Sequence, residues 1–298
     1  MSKHQAFFET TYRDSTAQTI FQFLKMNSPI SARSLRKYFF KGLVLINHKK
    51  AHSEKVLRSG DRVVVLPMTE EASPIQPEPV PIDIIYQNDD LLIINKPAGM
   101  AVHPVKTITS GTLANAVAYY YQANNIRSKV RPVHRLDVGT SGLVLFAKHA
   151  ASQETLTKGI NDHTIQRIYY AMVHGIPGPP TGTIDLPIGE IRRGRGVTAN
   201  GQPARTHYKT VAQYHDSALL ELELETGRTH QIRIHLQALG HPILGDPVYG
   251  IKSPYIKRPA LHAGKLHFDH SDLPIPTVTA AWPEDFEALI YQLKHLTE

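Results

Sequence analysis

The sequence predicts an α+β protein whose main part is a mixed, largely antiparallel sheet flanked by helices and loops, with a small α/β module in front. Short β-branched runs recur from residue 91 to residue 224, helical stretches fall between them without strict strand–helix–strand repetition, and a proline-rich break isolates the first part. No 20-to-50-residue repeat is visible, so solenoids and propellers are excluded.

Taken in order, residues 31–43 show helical spacing that leaves Arg33, Arg36, Lys37 and Lys41 exposed. Short apolar strands follow at residues 43–47 and 63–66. Residues 68–81, MTEEASPIQPEPVP, hold four prolines and three glutamates, which suit neither a central strand nor a helix interior. They read as a linker between a module of residues 1–67 and a domain of residues 82–298. Within that domain strands are expected at 91–94, 143–147, 169–173, 206–211 and 219–224, and helices at 112–122, 151–160, 230–239 and 283–296. Leu220, Leu222 and Leu224 alternate with Glu221, Glu223 and Glu225, the pattern of a strand with one wet face.

Composition removes several classes of function. The chain has 298 residues, 41% of them apolar, enough for about two domains with buried cores. It has no cysteine, which excludes disulfides, thiolate nucleophiles and zinc sites that need sulfur, and makes a cytoplasmic protein the expectation. Residues 1–18 lack the apolar stretch of a signal peptide, and the longest apolar runs are about six residues, too short for a membrane span. A net charge of +7 favours a polyanionic partner. No Gly-x-Gly-x-x-Gly or Walker-type loop is present to cradle a nucleotide cofactor. His262, His267 and His270, or His230 and His235 with Asp246, could suggest a metal. However, no His-Glu-x-x-His pattern occurs, and the His230–His235 spacing turns the two rings away from a shared helical face.

Two stretches concentrate polar chemistry. In VHRLDVGTSGLVLFAK, residues 133–148, His134, Arg135 and Asp137 precede a Gly-Thr-Ser-Gly turn and an all-apolar strand, so polar groups stand at one end of a buried element. In residues 224–250, Ile232, Leu236 and Leu239 have helical spacing, Gly240 is placed as the stop, and Thr229 is the expected N-cap. Arg228 would then stand at the helix mouth, where its charge and the helix dipole could together serve a nearby carboxylate.

These stretches resemble the large-subunit ribosomal RNA pseudouridine synthase family. Its hallmark is His-Arg-Leu-Asp, two variable residues, then Thr-Ser-Gly and an apolar strand, matched by His134-Arg135-Leu136-Asp137 and Thr140-Ser141-Gly142. The likeness continues through Asn95-Lys96-Pro97-Ala98-Gly99 with Val102-His103-Pro104, residues 169–175, Thr226-Gly227-Arg228-Thr229-His230-Gln231-Ile232-Arg233, Gly245-Asp246 with Tyr249-Gly250, and Leu261-His262-Ala263, in the same order. Val138 and Gly139 depart from the charged residues many relatives carry, and Arg167 stands where a lysine is common. The first module resembles the alpha-L RNA-binding type of a small-subunit ribosomal protein, with His48 in place of the usual turn glycine after Asn47.

The resemblance implies a pseudouridine synthase fold and the isomerisation of uridine to pseudouridine in RNA, by base flipping, without cofactor or metal. Asp137 is implied as the essential carboxylate, acting covalently at the sugar carbon or by taking a sugar proton. Either route needs an ionised, sheltered carboxylate, hence a fixed cation beside it, for which Arg228 is the candidate. Tyr169 is implied to stack on the target base, Arg135 to fill the space the base vacates, and His134 to orient the loop, with Thr140 and Arg233 among the substrate-binding positions. Arg33, Arg36, Lys37, Lys41, Arg192, Arg193 and Arg195 are the candidate phosphate contacts. Large-subunit (23S) ribosomal RNA is the expected substrate of an enzyme expected to act as a monomer. A transfer RNA synthase and a catalytically silent ribosome-assembly protein are the alternatives.

Overall fold

The computed structural model describes residues 6–14, 16–30, 32–66, 75–192, 194–269 and 275–295. The chain divides into two compact units between residues 72 and 73.

The first unit contains β1 (Phe8–Thr11), α1 (Ile20–Asn27), α2 (Ala32–Phe40), β2 (Val44–Ile46), β3 (Lys49–Lys50) and β4 (Arg62–Val65). The strands form one antiparallel sheet in the order β1-β4-β2-β3. Ile20, Leu24, Leu35, Val44, Val63 and Val65 are buried together as its core. Helix α2 stops before the expected residue 43 because Gly42 takes φ +64°, and its N–H donates to the Phe39 carbonyl as that of Leu43 does to Tyr38. Asn47 and His48 both adopt positive φ, 47° and 67°, the requirement of the two-residue hairpin turn between β2 and β3. The sequence therefore asks histidine to do what glycine does more cheaply.

The second unit contains β5 (Asp83–Gln87), β6 (Leu91–Lys96), α3 (Leu113–Ala123), β7 (Arg131–Pro132), β8 (Ser141–Ala147), α4 (Ala150–Asn161) and β9 (Ile165–His174). After these come β10 (Thr181–Asp185), β11 (Ile188–Ile191), β12 (Gly194–Val197), β13 (Arg205–Gln213), β14 (Ser217–Leu224), α5 (Gln231–Ala238), β15 (Leu261–Phe268), β16 (Val278–Thr279) and α6 (Glu284–His295). The large sheet runs β10-β13-β14-β9-β15-β8-β6-β5, with β16 on β15 and β7 on β8. Every pairing in it is antiparallel except β8 with β15, so the mixed, largely antiparallel sheet is what forms.

Strand β8 is buried along its whole length because both faces of the sheet are covered. Val144 and Phe146 join Leu92, Ile94, Leu113 and Val117 on one side, while Leu143 and Leu145 join Leu91, Ile93, Leu156 and Ile160 on the other. Helix α3 begins where the sequence places it, at an N-cap Thr112 whose hydroxyl accepts from the Asn115 N–H. Of the stretch read as a linker, residues 68–74 lie outside the described residues. Residues 75–78 bond to the second unit: the Glu78 carboxylate accepts from Gly111 N–H at 2.8 Å, and the Gln76 carbonyl accepts from Asn115 Nδ2 at 2.8 Å.

Strand β15 is among the elements the sequence does not announce, and it positions the site. Its residue Ala263 pairs with Gly142 of β8 on one side and with Tyr169 of β9 on the other. The turn carrying Asp137 and the strand carrying Tyr169 are thereby brought side by side across one intervening strand. Gly142, at φ +114°, is required there because a Cβ would strike the Ala263 backbone.

Candidate active site

Asp137 lies in the loop between β7 and β8, where its carbonyl accepts from the Thr140 N–H at 3.0 Å to close the turn. It faces a cleft of about 1250 Å³ lined also by His134, Arg135, Tyr169, Arg228, His230 and Arg233. The loop is tied down from below by Lys96. That side chain is fully buried, and its Nζ donates to the carbonyls of Pro97 and Met100 at 2.8 Å and of Val138 at 3.4 Å. Burial pushes the Lys96 ammonium down to about 7, Arg258 adds to the shift, and the negative charge of Asp137 opposes it.

The guanidinium beside Asp137 belongs to Arg233, not to Arg228. Arg233 Nη1 donates to Asp137 Oδ2 at 3.2 Å, and its Nε and Nη2 hold the two oxygens of Asp246 at 2.6 and 2.8 Å. Asp246 is fully buried and also accepts from the N–H groups of Val248 and Tyr249. Burial pushes the Asp246 carboxyl up, but the Arg233 fork and the backbone donors overcome it and hold it below the usual range. The bidentate grip fixes the plane of the guanidinium, so its remaining nitrogen is aimed at Asp137. Tyr249 supports it from below, with its ring centre 5.0 Å from the guanidinium carbon.

Arg228 misses this position because helix α5 starts three residues after it. Its Nε instead donates to the Pro203 carbonyl at 3.0 Å, and the side chain lies exposed at the cleft rim. The N-cap is His230 rather than Thr229, in the left-handed conformation (φ 60°) and without a side-chain cap bond. Buried Gln231 supplies what a cap would: its Oε1 accepts from the Arg228 N–H and from the Thr226 hydroxyl, while its Nε2 donates to Arg205 and Thr206 of β13. His230 Nε2 stands 3.9 Å from Asp137 Oδ2 and its Nδ1 is 3.0 Å from the Tyr249 hydroxyl. Burial lowers the His230 pKa, against the pull of Asp137.

The other expected site residues divide into those at the cleft and those elsewhere. Tyr169 is buried at the cleft wall; burial pushes its hydroxyl up, the charge of Arg167 opposes this and that of Asp137 adds to it. His134 is buried beneath the loop, accepts from the Leu145 N–H at 3.2 Å, and is pushed down by burial to about 3, so it stays neutral and structural at ordinary pH. Arg135 is exposed at the cleft mouth near His103, whose pKa is lowered by burial and then by Arg135. Thr140 is buried at the cleft wall.

Arg36, Lys37 and Lys41 are exposed on and just after α2 in the first unit, while the side chain of Arg33 and the whole of Arg193 lie outside the described residues. Arg192 is exposed beyond β11, and Arg195 is half-buried, its charge adding to the burial that lowers the His230 pKa and opposing the burial that raises that of Tyr249. Among the described residues no group of three or more His, Asp or Glu side chains is placed to hold a metal ion, and no helix is long and apolar enough to cross a membrane. Sequence reasoning did not assign Asp246, Tyr249 or Lys96 a role, although each sits in a motif it singled out. Their signal was composition: an acid, an aromatic and a lysine, each beside glycine or proline, in otherwise apolar surroundings.

The chain is similar to known proteins along most of its length. Residues 90–238 match the RNA pseudouridylate synthase family. Over 258 residues the chain is 42% identical to the Bacillus subtilis protein named uncharacterized RNA pseudouridine synthase YhcT, covering 85% of each. It is 39% identical over 249 residues to ribosomal large subunit pseudouridine synthase D of Nitrosomonas europaea, covering 78% of this chain and 71% of that one. The solved structure of human RNA pseudouridylate synthase domain containing 4 matches at a TM-score of 0.60 and 25% identity, over 71% of this chain and 93% of that one. Fold and relatives together define an isomerase that acts on RNA. The chain belongs to the RNA pseudouridylate synthase family and is an RNA pseudouridine synthase.

Proposed function

We propose that the protein isomerises one or more uridines of large-subunit ribosomal RNA, with Asp137 as the essential carboxylate and Arg233 as the cation that orients it. One observation carries the reading: Asp137 is held by a guanidinium whose own position is locked by buried Asp246, inside a cleft that Tyr169 walls. The relatives named ribosomal large subunit pseudouridine synthase D favour ribosomal over transfer RNA.

A uridine in folded RNA must leave its stack before its sugar can meet this carboxylate, at a cost of a few kcal/mol. Arg135, exposed at the mouth, is positioned to occupy the vacated space, and Arg228 at the rim to bind backbone phosphate. The extruded base would stack on Tyr169, and the Asp137 oxygen not engaged by Arg233 would be turned to the ribose. Covalent attack at the sugar carbon and removal of a sugar proton both suit one carboxylate. Nothing in either route calls for a redox partner, which is why no cofactor is assigned.

Arg36, Lys37 and Lys41 give the first unit a basic surface, and we assign that unit a second RNA contact that raises affinity through effective concentration. Pseudouridine mapping of large-subunit ribosomal and transfer RNA from cells lacking the protein tests the substrate. Loss of signal at ribosomal positions, restored by wild type, is expected; loss confined to transfer RNA would move the substrate assignment there. Removing residues 1–72 should weaken binding to long RNA while leaving turnover of a short substrate.

A further inference from the structure

The cleft holds a second buried guanidinium that the reading above leaves unused. Arg167 precedes Tyr169 by two residues on β9, so both side chains leave the same face of the strand, and both line the cleft. Arg167 is only 7% exposed and its Nε is buried without a hydrogen-bond partner. Among the described residues no carboxylate forms an ion pair with it. Gly227 leaves space beside the guanidinium, since a Cβ there would come to 3.3 Å from Nη1, and the charge of Arg167 acts on His134 and Tyr169. The other buried guanidinium of the cleft, Arg233, has two carboxylates; Arg167 has none among the described residues.

A buried cation without a counter-charge is costly, and a fold keeps one where a ligand supplies the missing charge. The exposed arginines at the rim are already assigned, Arg228 to backbone phosphate and Arg135 to the space the base vacates, whereas Arg167 lies beside the side chain assigned to the base. The charge that belongs at its depth is the one the base acquires during reaction.

We propose that Arg167 is a further catalytic residue, donating hydrogen bonds to the carbonyl edge of the extruded uracil and stabilising the ring as an anion after it leaves the sugar. This rests on the proposed isomerisation in the same cleft. When the C1′–N1 bond breaks, its electron pair stays on the ring, spread over N1 and the carbonyl oxygens, while C1′ either bonds to the Asp137 carboxylate or becomes part of a C1′=C2′ double bond as Asp137 takes the C2′ proton. The pair returns to the sugar when C5 bonds to C1′, releasing the Asp137 carboxylate in the first route or, in the second, adding across the double bond as Asp137 returns its proton to C2′; the C5 proton then departs and N1 gains one. A guanidinium already in place strengthens its hydrogen bonds only as that charge develops, so it favours the reaction more than binding.

The test measures single-turnover release of tritium from in vitro transcripts of large-subunit ribosomal RNA carrying [5-³H]uridine, with affinity by filter binding and folding by thermal melting. Arg167→Met is expected to react roughly 100-fold more slowly than wild type while binding RNA within about threefold. Arg167→Lys should recover part of the rate, and guanidinium added to Arg167→Ala should restore some of it. If Arg167→Met does not fold, Arg167→Gln, which keeps hydrogen-bond donors without the charge, decides: a wild-type rate would overturn the proposal, a slowed rate at unchanged affinity would support it. A loss confined to affinity, with a shallower salt dependence, would make Arg167 a phosphate contact and overturn the assignment. Wild-type protein that releases no tritium from ribosomal or transfer RNA transcripts would overturn the functional reading itself, and the Arg167 role with it.

Discussion

Arg233 touches Asp137 through one nitrogen, at 3.2 Å, because its other two donor nitrogens are committed to Asp246. The orientation of the Asp137 carboxylate is therefore set through Arg233 by buried Asp246. A buried ion pair is close to neutral in net stability, but breaking one side leaves an uncompensated charge. Asp246→Ala should destabilise the protein by about 3–5 kcal/mol, read as a shift in the urea midpoint. Because Asp246 titrates below its ordinary value of 3.8, its share of stability is present above that pH and is lost as pH falls through the lower folded value. An Asp246→Ala protein as stable as wild type would mean that Arg233 finds another anchor.

Asp137→Asn removes charge and keeps shape. The half-buried side chain can still accept from Arg233, so folding and RNA affinity should stay near wild type while tritium release falls below detection. Turnover at the wild-type rate in this variant would end the assignment of Asp137.

How far the sequence could lead depended on where each signal resided. Helices α3, α4, α5 and α6 were legible within one or two residues, because each carries apolar residues at helical spacing. Strand β15 was not, since LHAGKLHF carries a glycine and a lysine inside what must be a central strand. Its place is fixed by pairing on both sides, to β8 and β9, which is long-range information. The site divides the same way. Asp137, Tyr169 and Arg233 were legible as motif residues, but the choice of Arg233 over Arg228 as the partner turned on where α5 begins, a matter of Gln231 bonding across to β13. The hairpin at Asn47 and His48 forms despite the missing glycine because the Asn47 side chain bonds to Asp61 and accepts from Arg62.

Gly142 is the tightest point of the parallel pairing. A methyl group there would meet the Ala263 backbone, and φ +114° is itself strained for any L side chain. Gly142→Ala should cost on the order of 2 kcal/mol or more and separate the Asp137 turn from the Tyr169 strand. The expected readout is a lowered melting temperature together with lost turnover; an unchanged melting temperature would show that β8 and β15 can slide apart freely.

Two buried histidines should make the protein lose stability in acid. Burial pushes His134 down to about 3 and His262 to about 4, from an ordinary 6.5. As pH falls below about 6.5 the unfolded chain takes up protons at both positions and the folded chain does not, so protonation favours unfolding. Their contribution is complete above that pH. It should fall on acidification by up to about 1.4 kcal/mol per pH unit for each group, until pH approaches the folded values. Urea titrations at pH 7, 6 and 5 measure the slope, before the depressed carboxylates Asp246 and Asp285 respond. His134→Gln, whose amide oxygen can still accept from the Leu145 N–H, should reduce that slope by the equivalent of one proton. An undiminished slope in the variant would assign the acid sensitivity to other groups.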